Sequence, residues 1–208
     1  MNTLYIELNR DIMYEYFNFY KNKYPKARTF PFATKEIVKL FKNGKPQLTK
    51  TGRQKTKKKS RKINEIKKSH LFYKVISLNE LLPINSMSYK TTKTKWGELG
   101  IWLADKYGYN DLNLTNSLIE VKFFNETKAN SDNDNSIGAS KILFDGLYSK
   151  SNMFIDDNYN HINPLIVSTE YDKNNPRMEI RITTFEENIK DVYTKIDKHL
   201  ELWNEKER

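Results

Sequence analysis

Leu118-Ile-Glu-Val-Lys-Phe-Phe124 alternates apolar and polar side chains, and the stretch behind it, from Asn125 through Asp132-Asn-Asp134-Asn135, turns abruptly polar. Alternation over seven residues predicts a half-buried strand, because successive side chains in extended backbone point to opposite faces. The apolar content that returns afterwards predicts a helix from about Ser136 to Lys150, and two more strands are expected near Ile162 to Thr169 and Met178 to Thr183. A strand that leads through a helix to another strand is the repeating unit of an α/β sheet.

Upstream of this stretch, Leu71 to Leu78 has the length and β-branched content of a strand, and Pro83 closes the region behind it. Lys95 to Tyr107 carries Trp96, Leu99, Trp102, Leu103 and Tyr107 at helical spacing and meets Gly108, a candidate C-cap. The order strand, helix, strand, helix, strand, strand describes one mixed sheet with flanking helices, an α/β (α+β) fold, over residues 70–184. Both ends add helices. Near the start, Ile12, Met13, Tyr16, Phe17, Tyr20 and Tyr24 recur at helical spacing before Pro25, and a short second helix is expected from about Thr34 to Phe41; together they make a helical extension over residues 1–41. An aromatic stripe at this spacing is core packing. At the other end Thr184-x-x-Glu187 is a capping-box pattern, followed by Ile189, Val192, Ile196, Leu200 and Trp203 on one face of a C-terminal helix over residues 185–208.

The charge is concentrated between these parts. The chain of 208 residues carries 36 Lys or Arg against 26 Asp or Glu, a net +10. Lys42 to His70 alone holds twelve basic residues against Glu65, a net +11, so the rest of the chain is almost neutral. With nearly nothing apolar to bury, residues 42–69 read as a flexible basic arm or exposed loop. Such an arm is either a solvated linker or a contact for a polyanion, and its length favours the second, since each phosphate it neutralises releases counterions. Lys55, Lys57, Lys58, Lys59, Arg61 and Lys62 are the candidate nucleic-acid contacts, with Lys128 near the acidic run.

Elimination narrows the chemistry. The sequence has no cysteine, which rules out disulfides, thiolate metal sites and a thiol nucleophile. No phosphate-binding glycine loop, dinucleotide turn or zinc-binding His-Glu-x-x-His helix is present, and His70, His161 and His199 are scattered. No apolar run approaches the roughly 20 residues of a membrane helix, and no signal peptide opens the chain, so a cytoplasmic protein is expected. Carboxylates remain. In extended backbone Asp132 and Asp134 project to the same side, and Asp156-Asp157 follows the expected helix. Two strand-exit acids brought near a third suit magnesium, a hard cation that takes a few protein oxygens and completes its shell with water and phosphate. Each pair taken alone is equally well a turn or a helix cap. A calcium loop fails on spacing: counting from Asp132, Leu143 stands where a bidentate Glu is needed.

As an ordered set, Asp132-Asn-Asp134-Asn135, Lys141-Ile-Leu-Phe-Asp145-Gly-Leu147, Ile155-Asp156-Asp157, Asp172-Lys-Asn-Asn-Pro-Arg177 and Met178-Glu-Ile-Arg-Ile182 resemble the RusA-type Holliday junction resolvases, small bacterial and phage endonucleases. Leu82-Pro-Ile-Asn-Ser86 resembles the Pro/Asn turn after that family's first strand, and the likeness spans about Phe72 to Thr183. It implies a RusA-like fold and a homodimer, associated with the nucleoid, that binds four-way DNA junctions and nicks two strands symmetrically in DNA recombination and repair. It further implies magnesium as cofactor, with manganese as a substitute, held by Asp132, Asp134 and Asp157 beside Asp156, with Lys141 in the place of the family's catalytic lysine. The helix before Lys141 is about one turn longer than in shorter members, and the arm at 42–68 is not a family feature. Two alternatives stand beside this expectation: the same core acting on other branched DNA, and a non-catalytic nucleic-acid-binding protein that works through its basic arm.

Overall fold

A computed structural model describes residues 2–33, 35–43, 45–71, 87–126, 143–147, 150–156, 158 and 161–185. The chain divides into two compact units: Met1–Asn9 with Lys74–Arg208, and Arg10–Tyr73.

The first unit is a mixed α+β domain. Its sheet contains β1 (Asn2–Leu8), β6 (Ser117–Asn125), β7 (Ile162–Tyr171) and β8 (Arg177–Thr184), in the order β1-β8-β6-β7. Residues 2–8, expected within a helical extension, therefore belong to the sheet. β8 runs antiparallel to both of its neighbours, and β6 and β7 are parallel. A parallel pair needs a crossover connection, and the helical residues 143–147 lie on it. The register puts Ile6 opposite Ile180 and Ile180 opposite Val121, so one face of the sheet is a continuous apolar surface. Ile6, Leu8, Ile119, Val121, Phe123, Met178, Ile180 and Ile182 are buried there, and Trp96, Leu99 and Leu103 of α2 (Met87–Tyr107) join the core. Burying each such side chain is worth about 1.5–3 kcal/mol.

Two local devices hold this unit together. α2 meets the short helix at 143–147 backbone to backbone: a Cβ built on Gly146 would stand 2.6 Å from the carbonyl oxygen of Gly97, and one on Gly100 would stand 2.8 Å from that of Leu143. Close to that crossing Lys93 Nζ pairs with Asp145 Oδ2 at 2.7 Å. At the sheet edge, the outward N–H and C=O groups of β1 are capped by phenols. The Tyr107 hydroxyl donates to Glu7 O at 3.0 Å and accepts from Glu7 N–H at 3.2 Å. The Tyr109 hydroxyl treats Tyr5 the same way, at 3.3 and 3.4 Å. An edge strand otherwise exposes a row of unpaired polar groups.

The second unit pairs α1 (Arg10–Lys23) with a loop-borne aromatic cluster. Met13, Tyr16, Phe17 and Tyr20 are buried, and Phe30 stands with its ring centroid 5.1 Å from those of both Phe17 and Tyr20, edge-on. Phe32, Ile66 and Leu71 complete the cluster. The aromatic stripe is therefore core, as its spacing predicts.

The predicted helix from Thr34 to Phe41 is a strand instead. β2 (Glu36–Lys39) pairs antiparallel with β5 (Thr56–Lys59), and β3 (Phe41–Lys42) with β4 (Lys45–Pro46). Leu40 links them, its N–H donating to Lys55 O at 2.9 Å and its carbonyl accepting from Gln47 N–H at 2.9 Å. Apolar residues at 37, 38, 40 and 41 fit a helical face as well as an extended run, and the β-branched Ile37-Val38 pair followed by a tight reversal at Asn43 (φ 50°) tips the balance to strand. The basic stretch thus carries ladders where irregular backbone is expected; its lysines are exposed as anticipated, but Ile66 is buried and Arg61 half-buried. The expected strand at 71–78 lies outside the described residues apart from Leu71, and the C-terminal helix lies outside them beyond Phe185.

Candidate nucleic-acid interface and the ends of the sheet

Charge follows the division into units. Arg10–Tyr73 contains 19 Lys or Arg and only 4 Asp or Glu, a net +15, which leaves −5 for the rest of the chain. Within the basic unit, Lys57, Lys58 and Lys59 stand on β5 and Lys55 just before it, all exposed, and only Lys59 has a carboxylate residue, Glu36, opposite it in the ladder. Lys62 makes only a loose pair with Glu65, 3.9 Å apart and well solvated on both sides; Arg61 is half-buried beside it. The ladder register adds Lys39 opposite Thr56 and the pair Lys42 and Lys45, while a second turn, Thr49 to Arg53, carries Lys50 and Arg53. The lysines of the ladders are displayed, exposed, on hydrogen-bonded backbone, the condition for attracting phosphate.

The sheet unit treats its cations differently. On the open face of the sheet Arg177 lies 3.6 Å over the ring of Phe124, its Nη1 donating to Asp172 Oδ2 at 2.9 Å and its Nε to Glu179 Oε1 at 2.5 Å. Lys122 pairs with Glu170 at 2.5 Å, and Arg181 faces Glu120 at 3.6 Å. Asp172 is held below the ordinary carboxylate range by the backbone N–H of Asn175, the Arg177 guanidinium and the N–H of Asn174, against a smaller opposing effect of desolvation. Tyr5 is pushed upward by burial and by the Glu179 and Glu7 carboxylates, so its hydroxyl stays protonated and able to donate. A shallow depression of about 410 Å³ on this face is lined by Thr3, Leu118, Glu120, Arg181, Thr183 and Phe185.

The carboxyl ends of β6 and β7 come together where Asp172 N–H donates to Asn125 O at 2.9 Å. β6 ends there, and the described residues continue from it only to Glu126. Asp156 accepts a hydrogen bond from Asn158 Nδ2 and follows Phe154, which bridges Leu114 ahead of β6, so it belongs to the entry end of the strand pair. Asp156 and Asp172 therefore flank opposite ends of the β6–β7 pair. Asp132, Asp134, Lys141, Asp157 and Lys128 lie outside the described residues; among the described residues no three His, Asp or Glu side chains converge to hold a metal.

Sequence reasoning missed the exposure of Phe41 on a strand of the basic stretch and the neutralised state of Arg177 and Lys122. The Asn43-Gly44 dipeptide after an extended run was the available signal for the first, since it is the strongest short-range mark of a hairpin. No protein-family model matches the chain, and no curated protein matches it.

Proposed function

We propose that the chain is a DNA-binding protein of the cytoplasm and, more specifically, a magnesium-dependent, structure-selective endonuclease that acts on four-way junctions as a homodimer. The observation that carries the reading is the segregation of charge: a +15 unit with exposed lysines on β5, linked to an acidic sheet unit whose cations on β6 and β8 are already paired. A protein with this division holds polyanions through one unit and leaves the other for chemistry. Asp132, Asp134 and Asp157 would hold magnesium through hard carboxylate oxygens, and the ion would supply activation of water and stabilisation of negative charge on the phosphate. Lys141 contributes a further positive charge there. Two chains are needed because symmetric resolution takes two nicks, and a closed two-fold pair is the commonest way to provide them. A purely binding role draws equal support from the basic unit and none from the acids.

The test uses the full-length protein on a synthetic four-way junction, with flap, fork and duplex DNA as comparisons, with and without magnesium. Cleavage of the junction should require the metal and should collapse in Asp132→Asn, Asp134→Asn and Asp157→Asn, while binding survives. Neutralising Lys55, Lys57, Lys58 and Lys59 to Gln should weaken binding and flatten its dependence on salt, the slope of log affinity against log salt falling by up to about 0.9 for each phosphate that is no longer neutralised. Three Asn variants that cut at the wild-type rate would remove the nuclease; an unchanged salt slope would remove the basic unit as the DNA contact.

A further inference from the structure

The basic ladder does more than display charge. Along β2 and β3 the side chains of Ile37, Lys39 and Phe41 fall on one side of the extended chain, while Val38 and Leu40 fall on the other and are half-buried. Across the ladder, Lys58 is opposite Ile37 and Pro46 opposite Phe41. The outward side therefore reads apolar, cation, apolar, with a lysine on the neighbouring strand. Ile37 is 67% and Phe41 57% exposed, in a unit that buries Tyr16, Phe17, Tyr20, Phe30 and Phe32 to 7% or less. Among the described residues of the unit Phe41 is the most exposed ring, ahead of Tyr14 and Phe19 on α1, each 41% exposed. Lys39 precedes the ring by two residues on the same side, a spacing of roughly 7 Å along a strand, whereas the Lys42–Lys45 pair falls one position further along the ladder and on the other side.

We propose that Phe41 is a stacking platform for an unpaired DNA base, with Lys39 and Lys58 on the same side of the ladder holding the adjoining phosphates. The inference rests on the reading of this unit as the DNA contact and adds a substrate preference to it: strands with unstacked bases, as at a branch point or in single-stranded DNA, over continuous duplex. A flat ring flanked by cations suits any base, because every base offers a π-face, and the flanking charges follow the backbone without reading sequence. A lipid surface would want a contiguous apolar face with cations at its rim. Here lysines interrupt the apolar positions one for one.

The experiment measures affinity of the full-length protein, in the absence of magnesium, for a dT oligomer, for a junction carrying 2-aminopurine at the branch point, and for a duplex of equal length. Phe41→Ala should weaken binding to the oligomer and the junction by roughly 5- to 100-fold, the range of a single base stack. Duplex affinity, set by phosphate contacts, should stay within roughly two-fold. Phe41→Trp should restore the preference and quench 2-aminopurine on binding, which a merely structural role would not do. Equal losses on all three DNAs, or no loss on any while the Lys-to-Gln variant still binds weakly, would overturn the stacking platform and leave the charge reading intact. Failure of the wild type to bind any of the DNAs would overturn both, as would binding to anionic phosphatidylserine vesicles that Phe41→Ala abolishes with no change on DNA.

Discussion

Replacing Gly146 by alanine should destabilise the sheet unit, while the same change at Gly97, the residue it touches, should not. A methyl on Gly146 would lie 2.6 Å from the carbonyl oxygen, 2.8 Å from the Cα and 3.0 Å from the carbonyl carbon of Gly97. All three are backbone atoms of α2 and cannot swing aside as a side-chain end would, so the two helices must separate by several tenths of an ångström. Overpacking of this kind costs about 1–3 kcal/mol, and the helix preference of alanine over glycine returns at most about 1 kcal/mol. The expected balance is a loss of about 1–2 kcal/mol, or roughly 2–8 °C in Tm for a chain of this size. Gly100→Ala should behave alike, since its Cβ would meet Leu143 O at 2.8 Å. A Cβ on Gly97 meets nothing within 4 Å, so Gly97→Ala keeps only the propensity gain and should raise Tm slightly. Tryptophan fluorescence is the suitable readout, because Trp96, Trp102 and Trp203 all belong to this unit and the basic unit has none. Equal Tm for Gly146→Ala and wild type, or a loss at Gly97→Ala as large as at Gly146→Ala, would refute the backbone contact.

Tyr107→Phe removes the hydroxyl that serves both Glu7 N–H and Glu7 C=O, and at about 0.5–1.5 kcal/mol net per hydrogen bond it should cost about 1–3 kcal/mol; urea unfolding monitored by fluorescence checks this, and an unchanged midpoint would mean that water serves the edge equally well. Asp172 has a folded-state pKa below its unfolded value of 3.8, so its contribution to stability is fully present above that value and is lost as pH falls through the folded pKa. Denaturation midpoints should therefore be lower for Asp172→Asn than for wild type at pH 6, and the gap should close as pH falls below 3.8 and through the folded pKa; a gap that stays constant as the pH falls would assign the effect to something other than this titration.

Local periodicity makes much of the architecture legible. Trp96, Leu99 and Leu103 mark α2 because they recur around a helix at core spacing, and Gly108 ends it with φ 70°. The helix begins eight residues earlier than predicted, at Met87, where Lys90, Lys93 and Thr94 are exposed and leave no apolar period to read. β1 shows alternation at Leu4, Ile6 and Leu8, but what makes it a strand is β8, which no local window contains. At 34–41 the spacing is compatible with either helix or strand, and turn chemistry downstream decides it. For the candidate site, the charge of the basic stretch is visible as composition, whereas its display on paired strands, and the carboxylate partners that neutralise Arg177, Lys122 and Arg181, are products of register. Those depend on which residues end up opposite each other across strands.

The first strand of the sheet pairs with its last. Asn2 lies opposite Thr184 and Leu8 opposite Met178, and β8 is also the link between β1 and β6. During synthesis β1 emerges ahead of the other strands and has no partner until about 170 residues later, when β8 leaves the ribosome; such long-range pairing is slow and leaves strand edges open to other chains in the meantime. The basic unit sits wholly inside that interval, and every pairing described within it, from Glu36–Lys59 to Ala33–Leu71, is complete once Leu71 has emerged. Translation thus delivers a finished cationic module on a tether while the sheet unit is still being made. A chain that stops before Arg177 would keep that module and lose both ladders of β8 at once, stranding β1 and β6 with bare edges.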